Sequence, residues 1–314
     1  MLLKQEKLGY KPFEYPWAFE AWQTQQRMHW LPEEVHLNED VVDYNEKLTD
    51  DERGVVNDIL RFFTQADVDV GNCYIEKYLT QFKPIEVRMM LTAFSNMETI
   101  HMQAYSHLLD TLGLPEREYT EFMAVPCMKA KHKNGVEIVT EFDLLVALAV
   151  YGGFIEGLQL FGSFSILMNF QRFGLLRGVG QIVTWSVRDE SLHSESIIKL
   201  FHELRKEVKH SPETLESAIK YKAREALALE HTFLQHVFRK HRKVRGIDFN
   251  GIYNYLKHVY HMRMDMLGYK DPVVKEGMCL PYMKDLLNSV EFANFFTSKS
   301  TEYTKANLTG EWSY

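Results

Sequence analysis

Two short motifs of the same kind lie far apart in the chain, Glu98-Thr-Ile-His101 and Glu190-Ser-Leu-His193. Residues three apart on a helix share one face. Each motif can therefore direct a carboxylate and an imidazole at the same point from a single helix. Carboxylates and imidazoles together are metal ligands, so the two motifs are candidates for one shared metal centre.

An acid in an apolar stretch precedes each motif. Asp67, in FFTQADVDV, stands 31 residues before Glu98, and Glu156, in GGFIEGLQLF, stands 34 residues before Glu190. The repeated order of acid and Glu-x-x-His predicts two copies of one helix pair. Asp69 competes with Asp67, because the two lie about 200° apart around a helix and only one can face the interior. Periodicity alone leaves this choice open.

Charge arithmetic supports a centre with two metal ions. Four carboxylates carry four negative charges, which two divalent cations balance, whereas four buried carboxylates without cations would repel one another. Oxygen-rich ligands with one imidazole per ion and no thiolate suit iron or manganese, and this is the ligand set of di-iron and di-manganese carboxylate bundles. A third motif, Glu33-Glu-Val-His36, follows Pro32 in a short polar segment, and we interpret it as a solvated helix start.

Tyr105 lies four residues after His101, on nearly the same helix face and about 6 Å further along the axis. Two interpretations are open at this point. An oxidised metal pair could remove an electron and a proton from this phenol, or Tyr105 could be a core residue whose hydroxyl bonds to a ligand carboxylate.

The elements that must position these residues are long helices. The 314 residues include only 17 Gly and 9 Pro, and no period-two pattern indicates a strand. The sequence therefore predicts an all-α fold, a helical bundle enlarged by extra helices, as a single domain over 50–296. An N-terminal arm (1–49) precedes it, a connector occupies 114–139, and a flexible tail (297–314) follows. The predicted helices cover about 50–82, 84–112, 140–171, 180–208, 211–243, 250–267 and 281–296.

Composition excludes several classes of protein. A net charge of −7 gives no basic surface for nucleic acid. Three scattered cysteines form no disulfide framework or thiolate zinc site, and they suit the reducing cytoplasm. The stretch 144–171 is long enough to span a membrane and carries one charge, but its polar residues favour a helix buried inside a bundle.

The segments SNMETIHMQAYSHLLD, EGLQLFGSFS and VRDESLH resemble the small, radical-generating subunit of class I ribonucleotide reductase, in its tyrosyl-radical form. The likeness extends from HWLPEEVHL to NFFTSKSTEY, nearly the whole chain. It implies a ferritin-like bundle that uses dioxygen at a di-metal site to make a tyrosyl radical. The radical is then passed to a large catalytic subunit that reduces ribonucleoside diphosphates. Two iron ions are the implied cofactor, with two manganese ions or a mixed pair as alternatives.

The resemblance assigns individual residues as well. FFTQAD matches the first-ligand segment and so implies Asp67 rather than Asp69. The implied metal ligands are Asp67, Glu98, His101, Glu156, Glu190 and His193. Tyr105 matches the radical tyrosine, and Trp30, Asp189 and Tyr303 match the residues that carry the oxidising equivalent to the large subunit.

The chain departs from the family at two points. Leu160 stands where the family often has phenylalanine, although Phe164 is kept, and eleven residues follow Tyr303 in a short tail. The family is usually a homodimer whose C-terminal tail docks on the large subunit, so we expect the same here. The alternative is a stand-alone di-metal oxidase or monooxygenase, which would have no use for Tyr105, Trp30 or Tyr303.

Overall fold

The computed structural model describes residues 2–6 and 8–289. The predicted tail (297–314), with Tyr303, lies outside these residues. The described part is helical and contains no strand, as the all-α prediction requires. The α-helices are α1 (Pro16–Arg27), α2 (Asn38–Val42), α3 (Asp50–Asn72), α4 (Ile85–Thr111), α5 (Arg117–Glu121), α6 (Pro126–His132), α7 (Glu141–Val150), α8 (Leu160–Gln171), α9 (Arg177–Glu207), α10 (Pro212–Lys240) and α11 (Phe249–Met266). Residues 281–289 are also helical.

The long helices agree with the predicted ranges to within about four residues at each described end. The connector 114–139 differs, because it contains two short α-helices, α5 and α6, where one was expected. The predicted helix 281–296 is followed only to residue 289. The division into arm, bundle domain and tail stays a prediction.

Side-chain caps explain where the bundle helices begin. Thr49 caps α3 by accepting a hydrogen bond from the backbone of Glu52, whose carboxylate in turn accepts from the backbone of Thr49. The start of α9 is buried, and there Asp40 accepts hydrogen bonds from the backbone of Gly178 (3.0 Å) and Val179 (2.8 Å). These bonds satisfy backbone donors that a helix start otherwise leaves unpaired.

The described residues contain three π-helical stretches that the sequence pattern does not predict, and the first, Asp43–Lys47, directly follows α2. Cys73–Tyr78 extends α3, and Tyr151–Gln159 joins α7 to α8, so that Glu141–Gln171 is one continuous helix. This helix is long and apolar enough to cross a membrane, but 94% of its apolar window is buried inside the protein. Its composition is that of a core helix, as expected. π-Helical turns are frequent at functional sites, and Glu156 lies in this one.

Four helical rods enclose the centre of the molecule: α3, α4, α9 and the continuous helix Glu141–Gln171. Helices α10 and α11 pack on the outer side of the Glu141–Gln171 helix, and α1 packs along α4. The π-helical stretch approaches α9 closely at Gly152, where an added Cβ would lie 2.6 Å from Ile197 Cγ2. A larger residue there would push the two helices apart.

Candidate metal centre

The six predicted metal ligands come from all four central rods and meet in the interior. Asp67 is on α3, Glu156 is in the π-helical stretch, and the two Glu-x-x-His motifs are on α4 and α9. None of the six side chains is more than 2% exposed. Their ligand atoms form two groups, each with all its atoms within 4.8 Å of one another. The groups are Glu98, Glu156, Glu190 and His193, and Asp67, Glu98 and His101.

The two motif glutamates lie between the two histidines. Glu98 Oε1 is 3.2 Å from His193 Nδ1, and Glu98 Oε2 is 3.5 Å from His101 Nδ1. Glu190 Oε1 is 3.2 Å from His101 Nδ1, and Glu190 Oε2 is 3.7 Å from His193 Nδ1. Each carboxylate therefore directs one oxygen toward each imidazole, so the two groups form one continuous cluster.

Most of the atoms that face the centre of this cluster have no hydrogen-bond partner among the described residues. They are Asp67 Oδ2, both carboxylate oxygens of Glu98 and of Glu190, Glu156 Oε2 and His193 Nδ1. Buried polar atoms are nearly always hydrogen-bonded, because leaving them unpaired costs about 1–3 kcal/mol each. Cations bound between them would satisfy these atoms, and oxygen donors with one imidazole per ion fit iron or manganese. The residues present therefore fit a pair of divalent metal ions.

Electrostatics also favour positive charge at this place. Burial raises the pKa of Asp67 and of Glu156 well above the usual range, and the charge of Glu190 contributes in both cases. Burial alone would lower the pKa of His193, but the neighbouring carboxylates of Glu190 and Glu98 raise it to about 10. Without metal, the cluster therefore holds protons at the positions that bound cations would occupy.

The outer faces of the histidines are held by a second set of hydrogen bonds. Asp189, fully buried, accepts a hydrogen bond from Trp30 Nε1 (2.8 Å) at Oδ2, and His101 Nε2 is 3.2 Å from the same oxygen. Gln25 Nε2 donates to Asp189 Oδ1 (3.2 Å), and Gln25 Oε1 is 3.0 Å from His193 Nε2. The predicted residues Trp30, Asp189 and His101 therefore form a continuous chain.

Tyr105 lies beside this cluster in an apolar pocket and is 2% exposed. Its hydroxyl donates a 3.1 Å hydrogen bond to Ser186 Oγ, so its partner is a serine and not the ligand carboxylate considered from the sequence. Its ring stacks on Phe63 with 4.4 Å between centroids, and Phe63 packs on Phe164 at 5.5 Å. Burial, assisted by the charge of Asp67, raises the pKa of Tyr105 well above its usual value.

The alternative ligand candidates from the sequence, Asp69 and the third Glu-x-x-His motif, lie outside the cluster. The side chain of Asp69 is 23% exposed and lies 2.6 Å from His132 Nδ1, away from the cluster. Glu33 and His36 of the third motif are both exposed. Leu160 is buried and lines a cavity of about 30 Å³, together with Ala66 and polar side chains such as Gln159.

Two residues of the site were not found from the sequence. Ser186 lies four residues before Glu190 on α9, and this spacing on one helix face is the signal that could have indicated it. Gln25 is one of three glutamines within QTQQ on α1, and nothing in that run distinguishes it from its neighbours.

Comparison with known proteins gives consistent matches. The family model described as "Ribonucleotide reductase, small chain" matches residues 7–272. The probable ribonucleoside-diphosphate reductase small subunit of Invertebrate iridescent virus 3 is 37% identical, over 99% of this chain and 88% of the relative. Its counterpart from Invertebrate iridescent virus 6 is 35% identical, over 100% and 98%. The ribonucleotide reductase R2 subunit from Clostridium botulinum superposes with a TM-score of 0.75 at 22% identity, over 90% of this chain and 91% of that one.

Proposed function

Because the chain belongs to the ribonucleotide reductase small-chain family, we propose that its buried cluster is a di-metal centre that generates a radical on Tyr105. The chain is the small subunit of a ribonucleoside-diphosphate reductase, an oxidoreductase that acts together with a large subunit. The observation that carries the proposal is the set of unpartnered carboxylate oxygens between the two histidines. A helical protein without metal would have to neutralise this buried negative charge with protons held on the cluster.

The residues that would hold the ions are the six of the cluster. When bound, an iron pair would supply the oxidising power, taken from dioxygen, to remove one electron from a nearby phenol. The proposed cofactor is two iron ions, on the strength of the family, and the oxygen-rich donor set accommodates two manganese ions or a mixed pair equally. All six ligands lie on helices whose positions are set by core packing, which preorganises the site.

In this proposal Tyr105 would give up one electron and its hydroxyl proton, and both would be consumed in the reduction of dioxygen to water. The hydrogen bond to Ser186 Oγ fixes the direction of the hydroxyl. The buried rings of Phe63 and Phe164 exclude water from the phenoxyl oxygen. A dry environment protects such a radical from side reactions with solvent.

Trp30, Asp189 and His101 form the proposed route by which the oxidising equivalent leaves the cluster. Oxidation of the Trp30 indole makes its N–H acidic, and Asp189 Oδ2, 2.8 Å away, is placed to accept that proton. The ring of Trp30 lies 5.9 Å from that of His101 and 5.1 Å from that of Trp185. Tyr303, proposed as the next residue on the route, belongs to the tail beyond the described residues.

Electron paramagnetic resonance after loading with ferrous iron and oxygen tests the proposal. We expect a tyrosyl signal in the wild type and none in Tyr105→Phe. Tyr74→Phe is a matched control, because Tyr74 is equally buried and packs against His193 on the other side of the cluster (6.0 Å between ring centroids). A tyrosyl signal that persists in Tyr105→Phe would contradict the radical assignment.

Metal content provides the second test. Glu98→Ala and Glu190→Ala should each reduce the amount of bound iron, and unchanged metal content would show that the ligand assignment is wrong. Metal uptake without any organic radical, under both iron and manganese loading, would favour the stand-alone oxidase or monooxygenase. The relatives identified are reductase small subunits, so they lend that alternative no support.

Three further features are proposed on the strength of the family. They are a homodimer, docking of the C-terminal tail on the large subunit, and a location in the cytoplasm. The free thiols of Cys73, Cys127 and Cys279 are compatible with a reducing compartment. Analytical ultracentrifugation of the full chain and of a chain ending at residue 296, each with and without the large subunit, tests the first two.

A further inference from the structure

We infer that Gln25 is a positioning residue that holds both histidines of the cluster with their Nδ1 lone pairs directed at the metal ions. It contacts His193 directly and reaches His101 through Asp189. The inference rests on the proposed metal centre, and it adds to that centre a residue that provides no ligand atom. Gln25 comes from α1, outside the four rods that carry the ligands.

The side chain of Gln25 is buried between the two histidines on the outer side of the cluster. It is 1% exposed although glutamine is usually a surface residue. Both ends of its amide are used, since Oε1 lies 3.0 Å from His193 Nε2 and Nε2 donates to Asp189 Oδ1 at 3.2 Å. A buried amide with both ends paired is held in one orientation.

The orientation of this amide decides which nitrogen of His193 carries the proton. With Oε1 as acceptor, His193 Nε2 must be the N–H donor, so Nδ1, which faces Glu98 and Glu190, is the nitrogen left to bind a metal ion in place of a proton. The reversed amide would place an NH₂ group against His193 Nε2 and a carbonyl oxygen against the carboxylate of Asp189. It would also require a proton at Nδ1, where a metal ion would bind.

Asp189 fixes the position of the Nε2 proton of His101 in the same way. Its Oδ1 accepts from Gln25, which leaves Oδ2 for Trp30 and for His101 Nε2 at 3.2 Å. His101 is therefore an N–H donor at Nε2, and its Nδ1 faces Glu98 and Glu190. Outer partners of this kind fix the tautomer of ligand histidines, and their loss typically weakens metal binding by about 10–100-fold.

Calorimetric titration of the metal-free full chain with Mn²⁺ tests the inference. Gln25→Met keeps the length and apolar stem of the side chain but removes both hydrogen bonds, so we expect at least one Mn²⁺ to bind about 10–100-fold more weakly. Gln25→Glu would be buried against the carboxylate of Asp189 and should therefore stay protonated, so that its hydroxyl donates to Asp189 while its carbonyl oxygen accepts from His193. We expect it to recover most of the lost affinity. Gln26→Met, at the exposed neighbouring position on α1, is the matched control and should bind as the wild type does.

The ¹⁵N spectrum of the imidazoles in the zinc-loaded protein gives a readout that loss of packing alone would not change. In the wild type, His193 should show a hydrogen-bonded Nε2–H and a metal-bound Nδ1. Gln25→Met should shift the Nε2 signal toward that of an imidazole N–H without an acceptor, and Gln25→Glu should restore it. Circular dichroism checks that each variant is folded.

These measurements distinguish failure of the proposed role of Gln25 from failure of the proposed metal centre. Equal Mn²⁺ affinity in the wild type and Gln25→Met would overturn the role of Gln25 while leaving the metal centre intact. Equal weakening by Gln25→Met and Gln25→Glu, or by Gln26→Met, would also overturn it. Failure of the wild type to bind Mn²⁺, iron or zinc would instead contradict the metal centre itself.

Discussion

The indole N–H of Trp30 and the carboxylate of Asp189 are joined by a 2.8 Å hydrogen bond at a point where neither side chain is more than 2% exposed. The same carboxylate oxygen also contacts a histidine of the cluster. A residue from the N-terminal arm is thereby connected to the interior of the bundle through a single atom, Asp189 Oδ2. Charge-assisted hydrogen bonds in such a dry environment are stronger than those at a surface.

The first prediction concerns this connection. In Asp189→Asn the uncharged amide is a poorer proton acceptor for Trp30 and can no longer accept from Trp30, His101 and Gln25 together. At saturating ferrous iron, which offsets any loss of metal affinity, we expect the Tyr105 radical to form, while reduction of nucleotides with the large subunit falls by about 10–100-fold. Spin quantitation and a turnover assay measure the two effects. Asp110→Asn, at an exposed position on α4, is the control, and wild-type turnover in Asp189→Asn would disprove the transfer route.

The second prediction concerns the cavity beside Leu160. A cavity of about 30 Å³ with polar lining atoms can hold a water molecule. In Leu160→Phe the larger ring should occupy this space and exclude the water molecule. We therefore expect the electron paramagnetic resonance signal of the Tyr105 radical to decay with a longer half-life. The unfolding free energy should change by less than about 1.5 kcal/mol. Phe164→Leu, which removes a ring that packs on Phe63 beside Tyr105, should shorten the half-life, and identical decay in both variants would contradict the role of this packing.

The third prediction concerns removal of the metal. Ions held at 100 times their dissociation constant stabilise the folded state by about 2.7 kcal/mol, so chelation should lower the melting temperature. Glu156→Gln should weaken metal binding and yet raise the melting temperature of the metal-free protein at pH 7. The reason is that it removes a carboxylate whose pKa is raised by burial and by the charge of Glu190. A metal-free variant less stable than metal-free wild type would contradict this account of the cluster.

The fourth prediction concerns acid stability and lies outside the cluster. Arg224 donates two hydrogen bonds to the buried Asp271 (2.7 and 2.6 Å), and these, with one from Tyr260, lower the pKa of Asp271 to about 2. A lowered carboxyl pKa stabilises the fold above the unfolded value of about 3.9, and this stability is lost as pH falls toward 2. Asp271→Asn should therefore cost about 1–2 kcal/mol at pH 7, and the difference from wild type should vanish near pH 2.

Urea unfolding of the metal-free protein at pH 7, 4 and 2 measures this dependence. Asp265→Asn is the control, because Asp265 pairs with Lys270 with both side chains at least half exposed. Such exposed pairs contribute at most about 1 kcal/mol. A difference between Asp271→Asn and wild type that stays constant with pH would mean that the lost stability is not electrostatic.

The long helices and the ligand pattern were predictable from the sequence because both depend on local spacing. Few helix breakers and the Glu-x-x-His repeat are visible without any tertiary information. The local pattern did not choose between Asp67 and Asp69, because two residues that lie two positions apart on one helix differ only in what packs against them. Only the resemblance of FFTQAD to the first-ligand segment of the family implied Asp67. Burial of Asp67 and the contact of Asp69 with His132 reflect the placement of α4 and α6, which no local pattern contains.

Gln25 and the π-helical stretch Tyr151–Gln159 were missed for related reasons. A polar residue on a short arm helix gives the same pattern whether it faces solvent or a buried histidine. A π-helical turn shifts the side chains around the helix axis relative to an α-helix. The helix Glu141–Gln171 is apolar on all sides, so its sequence has no hydrophobic stripe in which such a shift would be visible. The identity of Ser186 as the partner of Tyr105 likewise depends on how α4 and α9 meet.

The packing of α1 along α4 has a consequence for how the centre communicates with the exterior. Both Gln25 and Trp30 belong to the predicted arm, whereas the six proposed metal ligands belong to the rods. Lifting the arm would separate Gln25 from His193 and Trp30 from Asp189, so it would both weaken the proposed metal site and break the proposed path for electrons at its first junction. In this proposal one short helix and the turn after it would serve both the formation of the oxidant and its export, so displacement of the arm would impair the two together.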